Sequence, residues 1–220
     1  MANNSRFVDP RFRFSGWTRS LRNASAIGSV AAIISSLFTF GLARQAAGLD
    51  SYAQLDTVTL VGTFFTGFYA FTNIWFLVAL MGFGLRSAQY VRDAGVALRI
   101  KPGWAIGGWF IPIAQMFLPF LVLNQVTGVG AGEAALKRKR SLLWFWIAFV
   151  VLNQLASYAL GDILAADAGV QFSGYQLYAG VLAFTIVPLM MARKLFTEID
   201  KDLRGLEPSD HAKAMANTGW

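Results

Sequence analysis

Long stretches of this chain carry no charged residue, and clusters of Lys and Arg lie between them. Uncharged windows cover residues 24–43, 57–85, 102–132 and 141–161. A helix needs about 20 apolar residues to cross a hydrocarbon core of ~30 Å. Three of these windows meet that length as simple helices, and residues 175–192 add a further candidate. The pattern therefore predicts an all-α integral membrane protein.

The distribution of basic residues predicts how the chain is threaded. Successive polar segments contain five, one, four, four, no and five Lys or Arg residues. Short basic loops remain on the cytoplasmic side of a membrane. If residues 103–126 crossed the membrane, nine basic residues would lie on the side of the N-terminus and ten on the other. If they entered and returned, 18 would lie inside and one outside. The second arrangement is the one that the charge rule favours, and it places both termini in the cytoplasm.

Residues 103–126, which we call the twin-proline hairpin, contain Pro112 and Pro119 inside an apolar window. An interior proline removes a backbone hydrogen bond and kinks or breaks a helix. We therefore predict four transmembrane helices, at about 25–43, 57–86, 142–160 and 175–192, and one re-entrant or interfacial hairpin broken near its prolines. The alternative is five transmembrane helices, the hairpin then being a kinked helix that crosses.

The hairpin is also the candidate functional element. Non-helical backbone at membrane depth is tolerated only where protein or a water-filled cavity satisfies its polar groups. The candidate residues are Trp104, Gly107, Gly108, Trp109, Pro112, Gln115 and Pro119.

Basic residues flank the membrane domain, which we assign to 24–194. Residues 1–23 form a basic and aromatic cytoplasmic arm, and 195–220 are expected to form a cytoplasmic amphipathic helix followed by a disordered tail. Bases near an anionic membrane surface each add about 1 kcal/mol of attraction. The bases expected to face lipid are Arg11, Arg13, Arg19, Lys137, Arg138, Lys139 and Arg140.

Neutral polar and small residues lie within the predicted spans. Gly28, Ala32 and Ser36 recur every four residues, which allows close contact between helices. Asn73, Asn153 and Gln154 are candidate interhelical polar residues, because an amide in hydrocarbon needs a partner. Whether they fasten helices or bind a polar neutral or lipidic ligand is open at this point.

The residues that most catalytic sites require are missing from the predicted spans. The chain contains no cysteine, its one histidine is His211 in the tail, and no Asp or Glu falls inside a predicted span. We therefore predict no catalytic residue, no metal site and no cofactor, and expect neither an enzyme nor a proton pump. The net charge of +7 comes from bases beside apolar runs, so lipid, rather than nucleic acid, is the expected partner.

The run Pro-Gly-Trp-Ala-Ile-Gly-Gly-Trp-Phe-Ile-Pro-Ile-Ala at 102–114, with Pro119 beyond it, resembles the signature of a bacterial membrane-protein family, domain of unknown function 4328. The bases from Arg86 to Lys101 match the basic lead-in of that signature. Gln115 stands where the family has Asn, and Leu118, Asn124 and Gln125 stand at positions that the family fills with charges. The resemblance implies a multi-pass bacterial protein and supplies no reaction. If those charges carry the family's activity, this chain has lost or changed it.

These observations lead to a first functional hypothesis and two alternatives. The first is a non-enzymatic accessory or scaffolding subunit of a complex in the bacterial cytoplasmic membrane, with a membrane-protein partner or a second copy of itself. The alternatives are a small channel or transporter that uses the hairpin, and a lipid-interacting sensor that reports through its basic loops.

Overall fold

A computed structural model describes residues 15–46, 55–111, 113–129, 133–163 and 168–204. Every element in these ranges is helical. The α-helices are α1 (Ser15–Ala46), α2 (Leu55–Asp93), α3 (Trp104–Gly107), α4 (Leu118–Thr127), α5 (Glu133–Ile163) and α6 (Ala168–Arg204). Two 3₁₀ turns, Gly108–Phe110 and Ala114–Met116, lie between α3 and α4. Pro112, the arm before Ser15 with Arg11 and Arg13, and the tail after Arg204 lie outside the described residues.

Four helices, α1, α2, α5 and α6, are long and apolar enough to cross a membrane. They contain 32, 39, 31 and 37 residues. At 1.5 Å per residue each is about 46–58 Å long, which exceeds a hydrocarbon core of ~30 Å. The predicted fold class, all-α with four spanning helices, is confirmed.

The long helices extend beyond the bounds that the apolar windows indicated. Residues 195–204, expected as a separate amphipathic helix, are the last turns of α6, which runs on through Pro188. Leu195, Ile199 and Leu203 are buried and continue one apolar face of that helix. Because packing continues along this face, the hydrogen bond lost at Pro188 does not end the helix.

The chain forms two compact units. We call Asn23–Leu77 with Trp144–Arg193 the bundle unit. The described parts of Met1–Arg22, Val78–Leu143 and Lys194–Trp220 form the hairpin unit. Each long helix contributes residues to both units.

Small residues of α1 make the close contacts in the bundle unit. A Cβ placed on Gly28 would lie 3.4 Å from Leu189 Cδ1, and Ala32 is fully buried. Ser36 Oγ donates a hydrogen bond of 2.8 Å to the carbonyl oxygen of Ala179 on α6. The spacing of small residues therefore marks the face of α1 that packs against other helices.

Aromatic side chains fill the space between α2 and α5 in the same unit. The ring centroids of Phe76 and Phe145 lie 6.4 Å apart, and those of Phe145 and Phe149 lie 5.8 Å apart. Phe76 and Phe145 are fully buried. Offset and edge-to-face ring pairs of this kind each contribute about 0.5–1.5 kcal/mol beyond the burial of their area.

Two close contacts join helices within the hairpin unit. The Trp17 ring of α1 lies directly over Gly82 of α2, so that a Cβ at Gly82 would overlap the ring. Phe83 of α2 and Phe196 of α6 pair edge to face with their centroids 5.1 Å apart, and both are buried. The absence of a side chain at Gly82 is thus what allows α1 to approach α2 here.

Gly82→Ala is expected to lower the thermal unfolding midpoint of the purified protein in detergent. Overpacking by a methyl costs about 1–3 kcal/mol, and the higher helix propensity of Ala returns about 1 kcal/mol. Gly67→Ala is the matched control, because Gly67 lies in the same helix with no neighbour within 4 Å of an added Cβ. It is expected to leave the midpoint unchanged or to raise it. Equal midpoints for the two variants would contradict the Trp17 contact.

Candidate functional site

The twin-proline hairpin is a reversal of the chain in the hairpin unit. Its longest helix, α4, has 10 residues and is therefore about 15 Å long, half of what a hydrocarbon core requires. A Cβ placed on Gly108 would lie 2.9 Å from Leu118 Cβ and 3.2 Å from Pro119 Cδ. Residues on the two sides of the reversal thus contact each other. Among the described residues, four helices have the length and hydropathy to span, and the hairpin provides none of them.

The two prolines explain where the helices stop and start. Pro119 is buried in the first turn of α4, where a backbone N–H has no helical partner to lose. Ile111 has an extended backbone, with φ −111° and ψ 115°. This is the conformation that a residue preceding proline favours, because the proline ring disfavours a helical one. The first 3₁₀ turn therefore ends at Phe110.

A glutamine side chain fastens the hairpin to the segment that precedes it. Gln125 Oε1 accepts hydrogen bonds from the backbone N–H groups of Arg99 (2.6 Å) and Ile100 (3.2 Å). Its Nε2 donates to the carbonyl oxygen of Leu121, 3.2 Å away. A carboxylate could accept the first two bonds but could not donate the third. The neutral residue at this position therefore has a structural role, which the sequence comparison with charged family positions did not indicate.

The hairpin also packs closely on α2. A Cβ added at Gly84 would lie 3.3 Å from the Cβ of Ala105 in α3 and 3.6 Å from Leu123 Cδ2 in α4. The short helices on both sides of the reversal thus rest on one glycine of α2. Ala105 and Leu123 are buried as a result.

Three large apolar side chains of the hairpin are largely exposed. Phe110 and Ile113 each expose 77% of their surface, and Phe117 exposes 57%. Of the predicted hairpin residues, Gly108 and Pro119 are buried where they contact each other, and Trp104 is exposed. Gly107, Trp109 and Gln115 are half-buried. We call Phe110, Ile113 and Phe117 the hairpin tip. Sequence reasoning missed it because periodicity is not informative across two 3₁₀ turns.

The basic run before the third span divides between outward and inward positions. Lys137 and Arg140 of this run are exposed, and so is Arg19 of α1. Arg138 differs from the expectation. Its side chain is only 12% exposed, and its guanidinium forms an ion pair of 2.6 Å with Asp202 of α6.

Lys139 also turns toward the protein. Its ammonium lies beside Gly128, at the C-terminal end of α4. The final carbonyl groups of a helix favour a cation at this position. These inward orientations follow from the helical phase of α5, because residues 137 and 140 lie on a different face from 138 and 139.

A cavity of about 120 Å³ lies within the bundle unit. Asn73 of α2 and Asn153 of α5 both line it, so the structure brings two of the three candidate amides together. Gln154 is exposed and is not part of the lining. Tyr69, Tyr178 and Thr185 contribute hydroxyl groups to the same cavity. Sequence reasoning did not single out these hydroxyl-bearing residues, since their convergence depends on the register of three helices.

The fold and the hairpin define a class of protein: a multi-pass α-helical membrane protein with a folded reversal between its second and third spanning helices. The family model described as Domain of unknown function (DUF4328) matches residues 56–201. The chain therefore belongs to this family, which the run at 102–114 indicated. Comparison with curated proteins and with solved structures finds no significant match.

Gly108→Ala is expected to open the hairpin. The backbone of Gly108 is ordinary right-handed helical, so alanine is locally allowed and the conflict with Leu118 and Pro119 is purely steric. We expect amide hydrogen exchange across 104–127 to become about tenfold faster, which corresponds to a loss of ~1.4 kcal/mol. Hydrogen exchange with mass spectrometry provides the measurement.

Gly107→Ala is the control for that variant. Gly107 is also right-handed helical, and the nearest atom to an added Cβ is in the Trp104 ring at 3.7 Å, an ordinary contact. Exchange across the hairpin should remain as in the unmodified protein. Identical exchange in both variants would mean that the contact at Gly108 does not hold the hairpin closed.

Proposed function

We propose that this chain is a non-enzymatic accessory or scaffolding subunit of the bacterial cytoplasmic membrane, and that the hairpin tip docks on a membrane-protein partner. The observation that carries this proposal is the outward exposure of Phe110, Ile113 and Phe117 on a reversal that Gln125 and Gly108 hold in shape. Large exposed apolar side chains on a fixed scaffold are the usual anchors of an interface.

The backbone of the hairpin favours a protein partner over lipid alone. Between Ile111 and Phe117 the chain makes short-range bonds, such as Phe117 N–H to the carbonyl oxygen of Ala114 (3.0 Å), instead of an α-helical ladder. At membrane depth, irregular backbone is stable where another protein surface or a water-filled cavity covers it. The apolar tip supports cover by protein, because its side chains would not line a watery path. For the same reason the tip favours docking over a channel or transporter.

The charge pattern supports the orientation that accompanies this proposal. With the hairpin returning to its starting side, 18 of the 19 bases, including the exposed Lys137 and Arg140, lie on the cytoplasmic face with both termini. Their contact with anionic headgroups would hold the hairpin at that surface. A lipid-sensing role would use the same bases, but it would leave the exposed tip without an occupant.

Two carboxylates of α6 are ion-paired with arginine. Within the described ranges, no group of three or more His, Cys, Asp or Glu side chains is placed to hold a metal ion. Asp200 and Asp202 form ion pairs with Arg204 and Arg138. These ion pairs give both carboxylates a structural partner.

Photo-crosslinking in cells tests the docking proposal. We expect p-benzoylphenylalanine at Phe110 to give one discrete protein adduct, which mass spectrometry would identify as a different protein or as a second copy of the chain. The matched site is Phe40 of α1, an exposed phenylalanine outside the hairpin, which should give lipid adducts only. Lipid adducts alone at both sites would contradict the proposal.

A specificity control accompanies the crosslink. The captured protein should co-purify with the unmodified chain in a fixed ratio and should be lost from the double variant Phe110→Ser, Ile113→Ser. It should be retained by Phe40→Ser, which changes an exposed phenylalanine elsewhere. Retention by the double variant would show that the adduct arises from chance proximity.

A further inference from the structure

The cavity of the bundle unit collects neutral polar groups from three helices. Asn73 lies on α2, Asn153 on α5, and Tyr178 and Thr185 on α6. The lining contains no ionisable acid or base other than the tyrosine hydroxyls. Polar side chains in the spans of a membrane protein are costly unless they are paired, so their convergence around one cavity needs an explanation.

Local hydrogen bonds satisfy these groups only in part. Asn153 Nδ2 donates to the carbonyl oxygen of Phe149 at 2.7 Å, which leaves its Oδ1 as an acceptor. Thr185 Oγ1 donates to the carbonyl oxygen of Val181 at 2.7 Å, which leaves the lone pairs of its oxygen for other partners. The hydroxyl of the buried Tyr69 is one such partner, as it is hydrogen-bonded to Thr185.

The size of the cavity limits what it can hold. A volume of about 120 Å³ equals roughly four water molecules at ~30 Å³ each, and an apolar protein cavity of ~150 Å³ accommodates benzene. An occupant of about five non-hydrogen atoms, somewhat smaller than benzene, is therefore the upper limit for complete enclosure. The aromatic walls, which include Phe145 and Phe149, suit an apolar body.

We propose that this cavity binds a small uncharged molecule, or the neutral end of a larger amphiphile, that joins one hydroxyl or carbonyl group to an apolar body. The amides of Asn73 and Asn153 recognise its polar group, and the phenylalanine rings contact its apolar part. A charged ligand is disfavoured because the lining offers no counter-charge in a low-dielectric setting. The proposal is independent of the docking role of the hairpin tip, which shares no residue with the cavity.

A pair of probes that differ only in the polar group tests this site. The probes are 3-fluoropropan-1-ol and 1-fluorobutane, which have the same number of non-hydrogen atoms and differ by a hydroxyl in place of a methyl. Binding to the full-length protein in detergent is followed by ¹⁹F relaxation, with protein-free micelles subtracted. We expect saturable binding of the alcohol and at least about fivefold weaker binding of the fluoroalkane, as the loss of one hydrogen bond predicts.

Substitutions in the lining test whether the alcohol binds in the cavity. Asn153→Leu should weaken alcohol binding about tenfold, since it removes an amide and fills space. The neighbouring Gln154→Leu makes a similar amide-to-leucine change at an exposed position and should bind as the unmodified protein does. Asn73→Leu removes the other amide that is proposed to recognise the polar group. It provides a second test of the cavity should Asn153→Leu fail to fold, and it should also weaken binding.

Three outcomes would overturn the proposal. Equal binding of both probes would identify an apolar void without polar recognition, and no saturable binding of either would identify a cavity that holds only water. Equal weakening by Gln154→Leu would place the bound alcohol outside the cavity. To separate a free small molecule from the end of an amphiphile, 10-fluorodecan-1-ol is compared with the short alcohol. Competition between the two at the same variants supports access for amphiphiles, and its absence overturns that part of the proposal.

Discussion

The reversal of the chain at Gly108 is the constraint on which the rest of the structure depends. Leu118 and Pro119 can approach Gly108 only because it has no side chain, and that approach returns the chain toward the residues before α3. Gln125 then joins α4 to the backbone of Arg99 and Ile100. If this segment were a spanning helix, α5 and α6 would be inverted and the bases after the hairpin would have to cross the membrane.

Much of this arrangement could be predicted from residue chemistry. A window without charges specifies a spanning helix when the helix it would form is long enough to cross the bilayer core. Burial of an unpaired charge in lipid is strongly unfavourable, so such windows are where spans can occur. Pro112 and Pro119 predict an interruption, since proline removes backbone hydrogen bonds whatever surrounds it. Gly28, Ala32 and Ser36 predict the packed face of α1 because only small side chains permit close approach. Each of these rules depends on local sequence alone.

The features that escaped prediction depend on contacts between distant residues. Arg138 belongs to a basic run, yet the phase of α5 turns it toward Asp202, 64 positions further along the chain. Gln125 is an unremarkable amide until the reversal brings the backbone of Arg99 to it. The polar cavity requires the register of α2, α5 and α6, which no single helix encodes. The extension of α6 to Arg204 likewise rests on burial of Leu195 and Ile199.

The distance between spin labels on either side of the hairpin tests the reversal most directly. The chain has no native cysteine, so Lys101→Cys and Val129→Cys provide two unique attachment sites. Arg99 and Gln125 are in contact, Lys101 follows Arg99 by two residues, and Val129 lies about one helical turn, ~6 Å, beyond Gln125. The backbones of the two labelled positions should therefore lie within about 20 Å of each other. Double electron–electron resonance in lipid bilayers should give this distance. A separation of about 40 Å, the length of a continuous helix between the two positions, would contradict the account.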